Sequence, residues 1–290
     1  MQQVEISAEE RRMSLADKLN NLETEIKKLG SVIVAFSGGV DSSFLLKVAR
    51  DTLARTGGRA LAVTARSSTY PVRELEEAAR IAKFIGAEHM IIDSEELDID
   101  GFAQNPVNRC YYCKGELFGK LSAIAEKEGV AAVLDGANMD DLKDYRPGSK
   151  AAREKGVRSL LVECSFTKDD IRALSKEMNL PTWDKPAFAC LASRFPYGTT
   201  ITGGKLTMVD KAEEFLRRLG FTQLRVRHHG DIARIELDPA QIQKAVEPET
   251  ASLINAKLKE IGFKYVTVDI AGYRTGSMNE GLDLKEKLGE

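Results

Sequence analysis

Ser31-Val-Ile-Val-Ala-Phe36, followed at once by Ser37-Gly-Gly-Val-Asp-Ser-Ser43, decides the fold. The first six residues are a nearly continuous apolar run, the pattern of a strand buried on both faces of a parallel sheet. A helix is expected after the glycines, and the alternation continues outward: residues 60–64 read as strand, 71–85 as helix, 89–93 as strand, 114–128 as helix and 130–134 as strand. Strands alternating with helices of this length imply an α/β fold with a parallel sheet and right-handed crossovers. Upstream, Leu15, Leu19, Leu22 and Ile26 recur at helical spacing within residues 8–29, a helix packed beside the sheet and stopped by Gly30.

Composition changes over residues 181–204, where Pro181, Pro186, Pro196, Gly198, Gly203 and Gly204 crowd together. Such a stretch reads as a linker, and connections of this kind often carry function. Beyond it the pattern predicts a helix over 206–219, strands over 222–228 and 232–237, helix-like segments over 239–246 and 249–261, and a strand over 264–270. These make a smaller C-terminal α+β domain. The expected division is a nucleotide-binding domain over 1–185, a linker over 186–204 and a substrate-binding domain over 205–290.

The chain has 290 residues, 43% hydrophobic and 30% charged, enough for a core and a solvated surface, so general disorder is excluded. Its 42 Lys and Arg stand against 44 Asp and Glu, a formal charge of −2. No global field favours nucleic acid or a membrane, and any polyanion must be bound locally. Four cysteines, unevenly spaced, are too few for a disulfide scaffold, which points to a reducing compartment and to thiol or metal chemistry. Residues 1–14 lack a signal-peptide core and no run approaches a membrane span, so a cytoplasmic location is expected.

At the strand-to-helix junction, Gly38 and Gly39 let the backbone approach an anion. The helix N-terminus offers amides with a favourable dipole, and Ser37, Ser42 and Ser43 add hydroxyl donors. This is a cradle for a phosphate chain. No Gly-Lys-Ser/Thr follows, so it is not the loop of γ-phosphate hydrolases. Asp135-Gly-Ala-Asn138 ends the last strand of the sheet, where ligand loops gather, although Asp-Gly alone is also an ordinary turn.

Cys110 and Cys113 form a CxxC pair in a polar loop just ahead of the helix expected at 114. They read as thiols at metal-binding or redox spacing, or as two partly buried small residues. Cys190, in the linker, is a functional thiol or a core thiol, and Cys164 beside an apolar run reads as structural. Arg225 and Arg227 are two apart on a strand and share a face, which suits a phosphate monoester or a solvated surface. Lys114 either neutralises a carboxylate or simply starts a helix. His89, His228 and His229 are assigned no role.

Residues 36–43 resemble the PP-loop of the N-type ATP pyrophosphatases. That resemblance implies a Rossmann-like sheet of the adenine nucleotide alpha hydrolase type. Ser37, Gly38, Gly39, Ser42 and Ser43 would then hold ATP phosphates, with Asp41 placing Mg²⁺ and Asp135 near the nucleotide. Adding NRCYYCK (108–114), DGANMDDLKDYRPG (135–148), CLASRFPYG (190–198), LRVR (224–227), DIARIE (231–236) and GYRTG (272–276), the chain is similar over nearly its whole length to the LarE family. Those proteins are ATP-dependent sulfur transferases of nickel-pincer nucleotide cofactor synthesis.

The similarity implies that ATP adenylylates each carboxylate of pyridinium-3,5-biscarboxylic acid mononucleotide and that sulfur then displaces AMP to leave a thiocarboxylate. Some members sacrifice a single cysteine. Others hold a [4Fe-4S] cluster on a CxxC pair and a third cysteine, and Cys110, Cys113 and Cys190 match that type. Three thiolates leave one iron open to sulfide. Ala189 stands where the sacrificed cysteine of the other type falls, which argues against the sacrificial mechanism in this chain while leaving Cys190 open as a donor. Ser193, Arg194, Glu213, Arg225 and Arg227 fall where the mononucleotide phosphate is expected. The implied partners are a small nucleotide, sulfide or another sulfur donor, and further copies of the chain in a homo-oligomer. The competing readings are a PP-loop tRNA thiolase, which calls for a basic RNA surface, an amide-forming ligase, which has no use for CxxC, and a nucleotide-binding regulator without turnover.

Overall fold

Four strands, β1 (Ser31–Ala35), β2 (Arg59–Arg66), β3 (Glu88–Asp93) and β4 (Ala132–Leu134), form one sheet in the order β3-β2-β1-β4. The central β1 runs parallel to both β2 and β4, with Ile33 opposite Leu61 and Val133. Val32, Ile33 and Val34 are wholly buried, but on opposite faces: Val32 and Val34 join one apolar cluster and Ile33 another. That is why the run is continuous in sequence. Each such side chain contributes about 2 kcal/mol through burial. In the computed structural model, residues 14–143, 147–186 and 188–274 are described.

Helix α1 (Leu15–Leu29) opens on a capping box between Ser14 and Asp17 and ends at Gly30, with Leu22 and Ile26 against the sheet. The expected start at residue 8 lies outside the described residues. Helices α2 (Val40–Ala54) and α3 (Val72–Ile85) cover the same face as α1. Helix α4 (Arg109–Glu128) covers the other face through Phe118, Leu121 and Ala125. It starts five residues before the expected 114, because Cys110 and Cys113 already lie in its first turns. The CxxC pair is therefore helical and not part of a preceding loop.

Between β4 and the linker stand α5 (Gly148–Glu154), α6 (Leu160–Glu163) and α7 (Lys168–Glu177), none of them anticipated by periodicity. The first two are too short to show a period. The third carries a local signal, Thr167 and Asp170 in a reciprocal capping box. Residues 144–146 of the 135–148 motif, and residues 275–276 of the last one, fall outside the described residues.

These elements make one compact unit: Met1–Ala65, Arg73–Ile92 and Lys114–Ala187. The second takes Arg66–Val72, Asp93–Cys113 and Phe188–Glu290. A boundary near 185 was expected, but two earlier segments also go to the second unit, and with them the whole CxxC pair. The second unit contains α8 (Gly203–Arg218), β5 (Leu224–His229), β6 (Ile232–Leu237), α9 (Ile242–Val246), α10 (Pro248–Ile261) and β7 (Tyr265–Val268). Strand β6 pairs antiparallel with β5 and parallel with β7. Leu216, Phe221, Leu224, Val226, Ile235 and Leu258 fill its core. Within the linker, Leu191–Arg194 form a single 3₁₀ turn.

Candidate functional site

The first unit builds its site where β1 ends. Gly38 has φ +68, and a Cβ there would stand 2.9 Å from the Cα of Ala78, so the position requires glycine by conformation and by space. Gly39 caps α2 with no side chain of its own, and the Gly39 amide donates to Ser37 Oγ at 3.3 Å. Ser37 Oγ is 3.1 Å from Ser42 Oγ, while Ser43 Oγ is buried without a partner. A buried orphan hydroxyl is costly unless something binds it, and here it lies in the first turn of a helix whose N-terminus favours anions.

Gly136 packs against the Ser42 amide at 3.2 Å from its Cβ position, so the loop after β4 does meet the phosphate loop. Asn138 Nδ2 donates to Asp41 Oδ1 at 3.3 Å, and Asp135 Oδ1 accepts from the Ala137 amide. Sequence reading missed two cations. Lys168 Nζ donates to Asp41 Oδ2 at 2.6 Å, and Lys185 Nζ reaches the Gly38 carbonyl at 3.3 Å while paired with Glu74 and Glu77. The Thr167 capping box, which fixes the start of α7, was the available signal for Lys168. Lys114 Nζ lies over the Phe118 ring at 5.3 Å, one turn further along its own helix.

One carboxylate at the mouth of the loop suits Mg²⁺, which keeps waters and takes the rest of its shell from phosphates. Among the described residues, no three His, Cys, Asp or Glu side chains converge on a metal seat.

All three candidate sulfur-handling cysteines belong to the second unit. None of the four cysteines is in a disulfide. Cys113 and Cys190 pack against one apolar cluster with Phe102, Leu191 and Phe195, whereas Cys110 is exposed. Cys113 Sγ is 3.8 Å from Glu96 Oε1. The three thiols do not stand as a finished ligand set. Cys164 is buried in the first unit, and burial pushes its thiol up to about 11, as a structural cysteine.

The CxxC segment is stitched to the linker. Asn105, wholly buried at φ +57, donates to the carbonyls of Phe195 and Pro196 and accepts from Arg109 Nη1 at 2.6 Å. The guanidinium of Arg109 lies over Tyr197 at 4.9 Å.

The arginines are more buried than a solvated strand face allows. Arg194 and Glu213 are both 0% exposed and pair through Nε and Nη2 at 2.8 and 3.1 Å. Arg225 and Arg227, each 7% exposed, point to one face as expected; Arg227 donates to the Ser193 carbonyl and to Glu236. Burial would raise Glu213, but the adjoining Arg194 guanidinium, with Arg217 and Arg225, holds it down to about 2. Burial, reinforced by neighbouring Arg194, pulls Arg225 down to about 10, so its charge is held there at a cost.

No family model matches the chain. It is 45% identical over 268 residues to an uncharacterized protein of Synechocystis, covering 92% of this chain and 99% of that one. It is 43% identical over 269 residues to pyridinium-3,5-bisthiocarboxylic acid mononucleotide synthase of Lactiplantibacillus plantarum, covering 93% of this chain and 96% of the relative. A more distant match, 29% identical over 193 residues, spans 53% of this chain and 49% of the tRNA-specific 2-thiouridylase MnmA of Xanthobacter autotrophicus.

Proposed function

Because the chain belongs to the LarE family of pyridinium-3,5-bisthiocarboxylic acid mononucleotide synthases, we propose that it is the ATP-dependent sulfur transferase that converts both carboxylates of pyridinium-3,5-biscarboxylic acid mononucleotide into thiocarboxylates. A carboxylate oxygen, already ionised at neutral pH, attacks the α-phosphorus of ATP; the new P–O bond forms as the α–β bridge breaks and pyrophosphate leaves. Sulfur then attacks the acyl carbon, a C–S bond replaces the C–O bond to AMP, and AMP departs. No general base is needed for the first step, which agrees with the absence of a histidine from the loop.

The observation that supports this reading best is the cluster of buried side chains in the second unit, where Arg194, Arg225 and Arg227 lie with Glu213 and Glu236. Burial, with Arg194 nearby, reduces the basicity of Arg225. Guanidiniums held on one strand in this way suit a phosphate monoester dianion, which fits a mononucleotide. In the first unit, Gly38, Gly39, Ser37, Ser42 and Ser43 would hold the ATP phosphates, Asp41 would take Mg²⁺, and Asp135 is assigned to the nucleotide.

By donor chemistry Cys110, Cys113 and Cys190, carried on one unit, fit a [4Fe-4S] cluster, which when bound supplies an iron open to sulfide. Lys114 is assigned to the substrate carboxylate. No helix among the described residues is long and apolar enough to cross a membrane, and we assign the reaction to the cytoplasm, in a homo-oligomer.

The test is anaerobically reconstituted protein with the biscarboxylate mononucleotide, Mg-ATP and sulfide, followed by mass spectrometry of product and protein. Thiocarboxylate together with AMP and pyrophosphate is expected. Absence of both products sinks the proposal, and loss of hydrogen sulfide mass from the protein transfers the donor role to Cys190 itself. Cys110→Ala should abolish the broad visible absorption of the reconstituted cluster; an unchanged spectrum removes the cluster.

A further inference from the structure

We infer that Arg194 is a positioning residue for Cys190, held by Glu213, and that it does not bind the substrate phosphate. This rests on the proposed role of Cys190 in handling sulfur.

The donors of Arg194 are committed to the protein. Nε and Nη2 engage both oxygens of Glu213, while Nη1 donates to the Ala189 carbonyl at 2.6 Å, the Cys190 carbonyl at 3.1 Å and Ser193 Oγ at 2.8 Å. The side chain is 0% exposed, and its guanidinium also lies 5.4 Å from the Phe188 ring centroid. Glu213 is in turn fixed by the Val226 amide at 3.1 Å and by Arg217 at 3.0 Å.

These bonds fall on the two peptide groups that flank Cys190. The Ala189 carbonyl fixes the peptide plane before the cysteine. The plane after it is fixed at both ends: the Cys190 carbonyl accepts from the Ser193 amide as well as from Arg194, and the Leu191 amide donates to the Thr69 carbonyl at 2.9 Å. When both flanking planes are set, the Cα–Cβ direction is set, and only χ1 is left to aim the sulfur. Group transfer depends steeply on such aim, about 10²-fold for a misplacement near 1 Å.

A division of labour follows among the arginines. Arg194 holds the start of the Leu191–Arg194 turn, and Arg227 holds its end through the Ser193 carbonyl at 2.8 Å. Arg225 and Arg227, a few per cent exposed, remain the groups for the phosphate.

The experiment compares full-length Arg194→Lys, Arg225→Lys and Glu213→Gln with the parent protein. One arm measures binding of inorganic phosphate by calorimetry. The other measures iodoacetamide labelling of Cys190 by peptide mass spectrometry, with Cys110 in the same sample as internal reference. Arg194→Lys should leave phosphate affinity within twofold and change the Cys190 rate at least fivefold relative to Cys110. Arg225→Lys should weaken phosphate about tenfold and leave Cys190 unchanged. With the mononucleotide substrate, Arg194→Lys should lower kcat at unchanged KM.

Phosphate binding that falls as far in Arg194→Lys as in Arg225→Lys overturns the inference, and so does an unchanged Cys190 rate. If the parent protein binds no phosphate, the phosphate-site reading fails and the Cys190 arm alone decides this one. If Arg194→Lys does not fold, Glu213→Gln, which loosens Arg194 without removing it, must shift Cys190 in the same direction or the inference falls.

Discussion

Lys168 Nζ and Asp41 Oδ2 are 2.6 Å apart, an ion pair that joins the first turn of α7 to the first turn of the helix behind the phosphate loop. Asp41 cannot both satisfy Lys168 and give that oxygen to a magnesium ion. On the proposed reading, Lys168 is a competitor that a metal–nucleotide complex would have to displace. In a partly exposed setting such a pair is worth about 1 kcal/mol, equivalent to roughly fivefold in binding. Lys168→Met should lower the Mg²⁺ concentration for half-maximal ATP binding by that factor, and Asp41→Asn should remove the Mg²⁺ dependence, both by calorimetry across a Mg²⁺ series. Identical Mg²⁺ curves for parent and Lys168→Met would rule out the competition.

Much of the first unit was legible because its physics is local. The buried run ending at Phe36, the two glycines and the following helix identify themselves within a dozen residues. Lys168 escaped because its link to Asp41 spans 127 positions and its helix has ten residues, too few for periodicity to stand out. The second unit was harder for the same reason. Asn105 and Pro196 are far apart in sequence, so no local pattern shows that the CxxC segment and the linker fold together. The pair Arg194 and Glu213 shows the other limit: spacing places charges on a chain but does not tell a ligand-binding arginine from one consumed by a buried carboxylate.

Gly38→Ala tests the phosphate loop. The substitution adds strain at φ +68 and a Cβ 2.9 Å from backbone of α3. Left-handed backbone alone costs an alanine about 1 kcal/mol, and the contact with Ala78 adds to it. A lower Tm with ATP binding weakened at least tenfold is expected. Unchanged ATP affinity would show that the loop does not approach the phosphates closely.

The acid limb of stability should belong to Glu213. Its carboxyl is held at about 2 in the fold against an ordinary value of 4.5. A depressed carboxyl stabilises the fold at pH values above the unfolded pKa, and that stabilisation is lost as pH falls from about 4.5 towards 2. By linkage it is on the order of 3 kcal/mol. Urea unfolding of the parent protein should weaken over this window, and Glu213→Gln should be less stable at pH 7 with a flatter dependence below 4.5. A parallel fall in both proteins would assign acid sensitivity to other carboxylates.

Thiol reactivity should separate the four cysteines by burial. Cys164 is 4% exposed with its thiol pushed up to about 11, so at pH 8 almost none is thiolate. Iodoacetamide at that pH should label exposed Cys110 first and reach Cys164 only in denaturant. Cys164→Ala should cost about 1 kcal/mol of stability, while thiocarboxylate formation continues. Early labelling of Cys164, read by peptide mass spectrometry, would contradict its place in the core.

Asn105 makes the sharpest test of how the cysteine-bearing segments are joined. Its amide donates to Phe195 and Pro196 and accepts from Arg109, three bonds, two buried and the one to Pro196 partly so, of about 1 kcal/mol each. Asparagine also tolerates the left-handed backbone at φ +57 better than alanine does. Asn105→Ala loses the bonds and adds strain, so a loss of about 4 kcal/mol is expected. Asn105→Gly loses the bonds but relieves the strain, and should recover about 1 kcal/mol of it. Because Asn105 anchors the residues just after the Cys190 turn, both variants should also raise labelling of Cys190 relative to Cys110. Equal stability of the alanine and glycine variants would remove the backbone argument. Unchanged Cys190 labelling in both would show that the turn holds its shape without the tie to Phe195 and Pro196, leaving the Arg194 clamp to act alone.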